Sequence, residues 1–301
     1  MIIIDFSQIV ISNLMAEIQG QKDIEVNVPL LRHMVINAIR GFKAKFGHEY
    51  GQLVLAADSR KYWRRDIFPH YKASRKKTRQ DSGLDWHSIF EAIATIREEL
   101  ATHFPYPVIY VQGAEADDVI GTLVEWSQTH DLGSGGVFGD PEPQPILILS
   151  GDGDFEQLQR YKNVKQYSPI QKKWIVADGT PDEVIMEHIL SGDKGDGIPN
   201  FLSADATFVT PGLRQKSLMK ENLAMWRKQK PEQFIDKKSE LMKNFKRNQQ
   251  LIDLRFTPTH LKEEIVEQYI LQKDRAIDRG KILNYFIANR MKQLIEHTGS
   301  F

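Results

Sequence analysis

The residues in this 301-residue chain best placed to do chemistry are carboxylates that follow apolar runs. Asp5 closes Ile2-Ile3-Ile4, Asp58 closes Leu53-Val54-Leu55-Ala56-Ala57, and Asp152 follows Ile146-Leu147-Ile148-Leu149-Ser150. Glu115 comes shortly after Pro107-Val108-Ile109-Tyr110-Val111 and opens Glu115-Ala116-Asp117-Asp118. Short apolar runs of this kind read as buried strands of a parallel sheet, whose carboxyl ends share one edge and form the crevice where ligands bind. Each acid alone is better explained as a helix cap. Together, and reinforced by Asp117, Asp118 and Asp154, they exceed what capping needs. Crowded carboxylates repel one another and lose hydration, a cost that bound cations offset. A donor set of carboxylates and water, without Cys or His, favours Mg²⁺ or Mn²⁺ over zinc. Asp193-Lys194-Gly195-Asp196 supplies two further acids.

The charge balance, 40 Lys+Arg against 40 Asp+Glu, hides strong local asymmetry. Arg60 to Arg79 holds nine Lys/Arg and one acid, Asp66; Arg214 to Arg247 holds eleven Lys/Arg and four acids. Basic blocks attract polyanions. The first block interleaves aromatics with cations in Tyr62-Trp63-Arg64-Arg65-Asp66-Ile67-Phe68-Pro69-His70-Tyr71-Lys72-Ala73-Ser74-Arg75 and continues through Lys76 and Lys77. Lys and Arg hold phosphates, while Tyr and Trp stack on unpaired bases. The block directly follows Asp58, so it is tethered beside the proposed metals. The plainer reading is a solvated helix or loop, with Trp63 and Phe68 as packing residues. Mutual repulsion of its charges predicts a mobile segment in the absence of nucleic acid. In the second block Lys216, Lys220 and Arg227 recur at helical spacing, on a face that either holds duplex phosphates or is merely exposed.

Around these residues the sequence alternates strands with helices up to about residue 180. Helical spacing is read over Val28–Phe46, Trp86–Leu100 with Asp85 as N-cap, and Ala116–Trp126, and small strands near Val164–Tyr167 and Lys173–Val176. The expected fold is α/β, a central mostly parallel sheet with flanking helices. The basic segment occupies about 59–83. Beyond Pro181 only helical stretches follow, at Pro181–Leu190, Gln215–Trp226, Pro231–Phe245, Thr259–Leu271 and Arg279–Ile295. The domains are therefore read as 1–180, an α/β half, and 181–301, a helical half. Asp131–Pro145 reads as a surface loop. Its Gly133-Ser134-Gly135-Gly136 lacks the spacing of a dinucleotide loop, and Asp152-Gly153-Asp154, which also fits an Asx turn, lacks the later acids of an EF-hand. The absence of Cys excludes disulfides, thiolate metal sites and a cysteine nucleophile. No run approaches a transmembrane helix, and Asp5 interrupts the apolar start without a preceding basic residue, so a cytoplasmic protein is expected. His33, His48, His87 and His297 are assigned no task.

Four motifs, Tyr71-Lys72-Ala73-Ser74-Arg75, Glu115-Ala116-Asp117-Asp118-Val119-Ile120, Ser150-Gly151-Asp152-Gly153-Asp154-Phe155 and Gly192-Asp193-Lys194-Gly195-Asp196-Gly197-Ile198-Pro199, resemble in order those of the flap endonuclease/5′-nuclease superfamily. Asp58 with Tyr62–Asp66, Asn163–Pro169 with Lys172–Trp174, and Arg279–Ile282 resemble in particular its T-even bacteriophage ribonuclease H branch. The resemblance spans almost the whole chain and is weakest at Asp131–Pro145 and Asn200–Arg214. It implies that Asp5, Asp58, Glu115 and Asp117 surround a first metal. Asp152, Asp154 and Asp196 would surround a second, with Asp118 and Asp193 as supporting or water-mediated ligands. It implies that the basic segment 59–83 is a helical arch that passes the single strand, to which Arg64, Tyr71, Lys72 and Arg75 belong, with Lys72 and Arg64 touching the scissile phosphate. It would make 1–180 the nuclease half and 181–301 the duplex-binding half. The implied activity is two-metal 5′→3′ exonuclease and 5′-flap cleavage on RNA–DNA and DNA duplexes, leaving 5′-phosphates, with Mg²⁺ as cofactor and Mn²⁺ able to replace it. The implied role is removal of RNA primers in phage replication by a monomer in the host cytoplasm, with a single-strand-binding protein or sliding clamp as possible partners. After Pro199 the chain departs from the glycine-rich hairpin of many relatives. The rivals are a Toprim-like Mg²⁺ enzyme, which would not need Asp5 and Asp58, a receiver-like or phosphatase-like domain, and a non-catalytic DNA-binding protein, which would leave the acids idle.

Overall fold

The structure, a computed structural model, describes residues 1–18, 26–130 and 143–301. The expected surface loop at Asp131–Pro145 lies, apart from its last residues, outside the described residues. Six strands form one sheet in the order β3-β2-β1-β4-β5-β6. They are β1 (Ile2–Asp5), β2 (Leu53–Ala57), β3 (Val108–Tyr110), β4 (Ile146–Leu149), β5 (Val164–Ser168) and β6 (Lys173–Ile175). All neighbours pair in parallel except β6, which runs antiparallel to β5. Ile3 lies opposite Val54 on one side and Ile148 on the other, so the apolar runs form the buried centre.

The helices are α1 (Phe6–Ile18), α2 (Val28–Tyr50), α3 (Arg64–Ile67), α4 (Ser74–Asp81), α5 (Trp86–His103), α6 (Ala116–Trp126), α7 (Pro181–Ser191), α8 (Lys220–Trp226), α9 (Glu240–Ile252), α10 (Thr259–Gln272), α11 (Arg279–Ala288) and α12 (Lys292–Ile295). Alternate strand residues serve opposite layers. Ile2, Ile4, Leu53 and Leu55 pack with α1, α2, α5 and α11 through Val10, Ile39, Ile96 and Phe286. Ile3, Val54, Ile109 and Ile148 pack with α6 and α10 through Ile120 and Ile265. A third cluster joins α7 and α9 to the root of the arch through Phe68, Tyr71, Ile189 and Phe245. Thus α10 and α11, beyond residue 180, cover the two faces of the sheet.

Several helical readings change. Helix α8 begins only at Lys220, so Lys216 precedes it in irregular chain and the two lysines share no helical face. There the backbone of Lys216 is held by Ser203 and Asn200 side chains. Pro231–Phe245 is not one helix: a 3-10 turn at Pro231–Gln233 ends early, and α9 starts at Glu240 behind its Ser239 cap and runs on to Ile252. The hydroxyl cap decides where the helix starts, and buried Asn244 and Asn248, anchored to the backbone of Phe201, Ser203, Ile189 and Pro199, hold its inner face. Arg279–Ile295 breaks at Arg290, whose φ of 55° ends α11.

Gly192 carries the chain from α7 toward Asp193 with φ 69°, and a Cβ there would run into the backbone of Ile198 and Pro199. Gly192→Ala therefore combines left-handed strain with a backbone collision. It should lower unfolding free energy in urea by more than about 1 kcal/mol, above the penalty of the backbone conformation alone. Wild-type stability would show that the loop relaxes freely.

Candidate active site

Strand β1 is flanked by β2 on one side and β4 on the other, which makes the carboxyl end of β1 the switch point of the sheet. Asp5 is the last residue of β1, Asp58 follows β2, and Asp152 follows β4 by the turn Ser150–Gly151. The Gln8 side chain accepts the Gly151 N–H at 2.6 Å and so ties α1 to that turn. Asp58 Oδ1 accepts the Ala116 N–H at 2.9 Å, bringing the start of α6 and its Asp117 to the same edge. Asp5, Asp58, Asp117 and Asp152 line one cleft of about 510 Å³ with Tyr62, Lys72, Arg75 and Arg79 of the arch and Phe90 and Arg97 of α5. A somewhat larger, mostly apolar groove between Trp126 and Leu271 lies at the other end of α6, away from every strand-end acid.

The acids fall into two electrostatic groups. Glu115 is 1% exposed and fully engaged: Oε2 accepts Arg64 Nη1 at 2.8 Å and the Tyr71 hydroxyl at 2.9 Å, and Oε1 accepts Lys72 Nζ. Asp118 is completely buried and accepts from Arg64, Trp63, the Glu115 N–H and Thr257. Burial would raise the Asp118 carboxyl, but Arg64 and these hydrogen bonds hold it below the usual carboxylate range. Asp118 is thus corrected from a metal-supporting ligand to the inner half of the α6 capping box and the counter-ion of Arg64, since donors already occupy both its oxygens. Asp196 accepts from the Tyr71 hydroxyl at 2.8 Å and from Arg75, with Lys72 Nζ at 3.4 Å.

The arch residues separate in the same way. Arg64 is 2% exposed and its Nε donates to the Leu251 carbonyl in α9, so it is corrected from a phosphate contact to a buried cross-link. Tyr71, buried to 2% and bonded at its hydroxyl, cannot stack on a base. Trp63 and Phe68 are buried packing residues, whereas Tyr62 lines the cleft. Lys72 has φ 55°, a strained backbone fixed by its N–H donating to the Asp196 carbonyl at 2.7 Å. Repulsion within the arch therefore does not apply to Arg64, Lys72 and Arg75, which face carboxylates. Arg65, Lys76 and Lys77 are exposed.

Asp5 and Asp117 carry unrelieved charge, and among the described residues Asp154 is relieved only by His188. Burial, then the charges of Asp58 and Asp152, pushes Asp5 up to about 7. Burial, then Asp152, raises Asp117 well above the carboxylate range. Burial pushes Asp154 to about 7, with Asp152, Asp196 and Asp193 adding to it and His188 opposing. Asp117 accepts no hydrogen bond among the described residues, and Asp58 and Asp152 each engage a single oxygen. Carboxylates with open oxygens, from buried Asp5 through half-buried Asp58 and Asp117 to exposed Asp152, fit hard divalent cations that enter from the cleft, so these residues suit the metals that the sequence implies.

Sequence reasoning missed His188 in the last turn of α7. Its Nδ1 lies 3.2 Å from Asp154 Oδ1 and its Nε2 3.6 Å from Asp193 Oδ2. Burial alone would lower the imidazole; the facing Asp193 carboxylate, with the charges of Asp154 and Asp152, instead raises it to about 9. The nearby His188 imidazole in turn holds Asp193 down at about 2. The spacing His188-Ile-Leu-Ser-Gly-Asp193, which puts the ring one short loop before the last acid motif, was the available signal.

A parallel sheet that gathers aspartates at one edge beneath cationic side chains has the architecture of a phosphodiester-cleaving nuclease. The chain belongs to the 5′-3′ exonuclease family: residues 1–187 match its N-terminal resolvase-like domain, and residues 179–301 match the C-terminal domain of T4 RNase H. It is 33% identical to the ribonuclease H of Enterobacteria phage T4 over 99% of this chain and 95% of that protein. It is 25% identical to DNA polymerase I of Bacillus caldotenax over 61% of this chain and 20% of that one. The T5 5′-exonuclease, solved with bound divalent zinc ions, superposes with a TM-score of 0.62 at 16% identity, covering 91% of this chain and 99% of that one. The T5 flap endonuclease, solved with DNA and metal ions, gives 0.61 at 15% identity over the same shares; at these identities the likeness is one of fold. The chain is a nuclease of this class, and the Toprim-like and non-catalytic readings give way to it. No helix among the described residues is long and apolar enough to cross a membrane.

Two predictions follow from the charge distribution. A carboxyl raised in the folded state binds more protons folded than unfolded, so stability falls as pH rises from its ordinary value through about 7. In EDTA, melting temperature should drop between pH 5 and pH 8, and Asp117→Asn should melt a few degrees above wild type at pH 8. A variant that melts lower would contradict the unrelieved charge. Arg64→Ala leaves Glu115 and Asp118 buried without their guanidinium and should cost about 3–5 kcal/mol in denaturant unfolding; unchanged stability with weaker substrate binding would restore the phosphate-contact role.

Proposed function

We propose that this protein is a two-metal 5′→3′ exonuclease and 5′-flap endonuclease acting on RNA–DNA and DNA duplexes, with Mg²⁺ as cofactor and Mn²⁺ able to replace it. One observation carries the reading: Asp5, Asp58, Asp117 and Asp152 line a cleft walled by Lys72, Arg75 and Arg79. Bound divalent ions would supply a metal-activated water and stabilise the departing 3′-oxygen. Asp5, Asp58, Asp117 and Asp152 would hold one ion, and Asp154, Asp193 and Asp196 would serve the other, with Glu115 acting through Lys72 and Tyr71. Lys72 and Arg75, poised on Glu115 and Asp196, would turn to the scissile phosphate and offset the charge that develops on its oxygens. Tyr62 would stack on the last base before the cut. Exposed Arg65, Lys76 and Lys77 would track the single strand, and Lys216 and Lys220, on separate elements, would grip duplex phosphates.

In this reading residues 1–180 form the nuclease half and 181–301 the duplex-binding half. The protein works as a monomer that removes RNA primers in phage DNA replication within the host cytoplasm, where a single-strand-binding protein or clamp would be its partner. The resemblance to the T4 enzyme over nearly the whole chain supports this.

The test is cleavage of a 5′-labelled RNA–DNA hybrid and of a 5′-flap duplex with Mg²⁺, with EDTA and with Asp152→Asn. Short 5′ products and junction cuts should require both Mg²⁺ and Asp152, and Lys72→Ala should lower kcat by about 10²-fold or more. Tight binding without cleavage in any metal would overturn the proposal.

A further inference from the structure

We propose that His188 is a nitrogen ligand in the second acidic cluster, and that this cluster consequently prefers a transition-metal ion such as Mn²⁺ or Co²⁺ to Mg²⁺. The inference deepens the proposed function and rests on its assignment of Asp154 and Asp193 to a metal. The sequence argument for Mg²⁺ assumed oxygen donors alone. The folded chain brings an imidazole into the set.

Three elements converge to place it. Asp154 lies on the 3-10 helix Gly153–Arg160, which packs against α7. His188 occupies the last turn of α7, and Gly192 turns the chain so that Asp193 comes back beside the ring. The Asp193 loop is closed by the Ile198 N–H donating to the Asp193 carbonyl at 2.6 Å, and the Asp193 carboxylate accepts the Asp196 N–H at 3.0 Å. One donor atom from each of Asp154, His188 and Asp193 lies within 4.8 Å of the other two. Donors about 2.0–2.2 Å from a shared ion stand at most about 4.4 Å apart, so small side-chain rotations close the set. The ring is about a quarter exposed and can be reached by an ion.

The arch cations do not compete for this position. Arg75 and Lys72 pair with Asp196, and His188 is the cation paired with Asp154 and Asp193. Metal binding would displace into solvent the proton that His188 carries between the two carboxylates, and the neutral imidazole nitrogen suits first-row transition ions, whereas Mg²⁺ holds to oxygen and water. The cluster of Asp5, Asp58, Asp117 and Asp152 offers only oxygen. The two clusters would therefore differ in metal preference although they lie in one site. The competing role for His188 is a plain counter-cation that never meets the metal.

Pulsed electron paramagnetic resonance on the full-length protein loaded with Mn²⁺ separates the two roles, because a ligating imidazole nitrogen couples to the electron spin. Coupling should be seen in wild type and in Asp117→Asn, and should vanish in His188→Gln. Calorimetric titration should show Mn²⁺ affinity at one site falling about tenfold or more in His188→Gln, with Mg²⁺ affinity little changed. Mn²⁺ bound to wild type without nitrogen coupling would overturn the inference and leave the nuclease proposal standing. Failure of wild type to bind any Mn²⁺ would overturn both. The wild-type spectrum decides the question even if a variant does not fold.

Discussion

Repulsion among carboxylates at the carboxyl edge of the sheet is the constraint on which the rest of the structure depends. The topology makes it unavoidable, because parallel strands β1, β2 and β4 all deliver acids to one edge. The protein meets it in two ways. On the inner side, Glu115, Asp118 and Asp196 are neutralised by Arg64, Lys72, Arg75 and the Tyr71 hydroxyl. On the cleft side, no ion pair reaches Asp5, Asp58, Asp117 or Asp152 among the described residues. That unevenness sets the purely structural Arg64–Asp118 pair apart from the cleft, whose inner wall is where Lys72 and Arg75 pair with Glu115 and Asp196. A buried pair left without its partner is far more costly than one never made, so the Arg64–Asp118 pair is tightly constrained.

The network also fixes the architecture around the cleft. Arg64 joins the arch to α6 through Asp118 and to α9 through the Leu251 carbonyl, three segments far apart in sequence. Phe68 and Tyr71 root the arch in the apolar cluster of α7 and α9. With its base held, the arch can present Tyr62, Lys72 and, from α4, Arg79 to the cleft while Lys76 and Lys77 on the other side of α4 stay exposed. The strained backbone at Lys72 lies where these restraints meet. Residues after 180 contribute twice: α10 and α11 buttress the sheet, and α7 carries His188 to the second cluster.

What could be read from the sequence follows from the range of each interaction. Buried parallel strands are written locally, as Ile2-Ile3-Ile4 and Leu53–Ala57 show, and their terminal acids mark the edge of the sheet without tertiary knowledge. Asp85 capped α5 as its position suggested, accepting the His87 and Ser88 N–H groups. Arg64 and Arg65 are adjacent and chemically alike, yet one is buried against Asp118 and the other exposed, and only long-range packing separates them. Lys216 looked helical by spacing, but Asn200 and Ser203 hold its backbone in irregular chain. His188 sits on an ordinary amphipathic helix, and its partners, Asp154 and Asp193, lie on two other segments. Local periodicity reports burial, and the pairing of charges across segments is what it leaves out.

The central claim is that the cleft-side acids are left unpaired because divalent ions complete them. Anomalous diffraction from crystals grown with Mn²⁺ tests this most directly, since the signal locates the ion without assumptions about activity. The account predicts one peak within bonding distance of Asp117, Asp152 and their neighbours, and a second against Asp154 and Asp193. Crystals that show the same open carboxylate oxygens and no anomalous peak at saturating Mn²⁺ would contradict it.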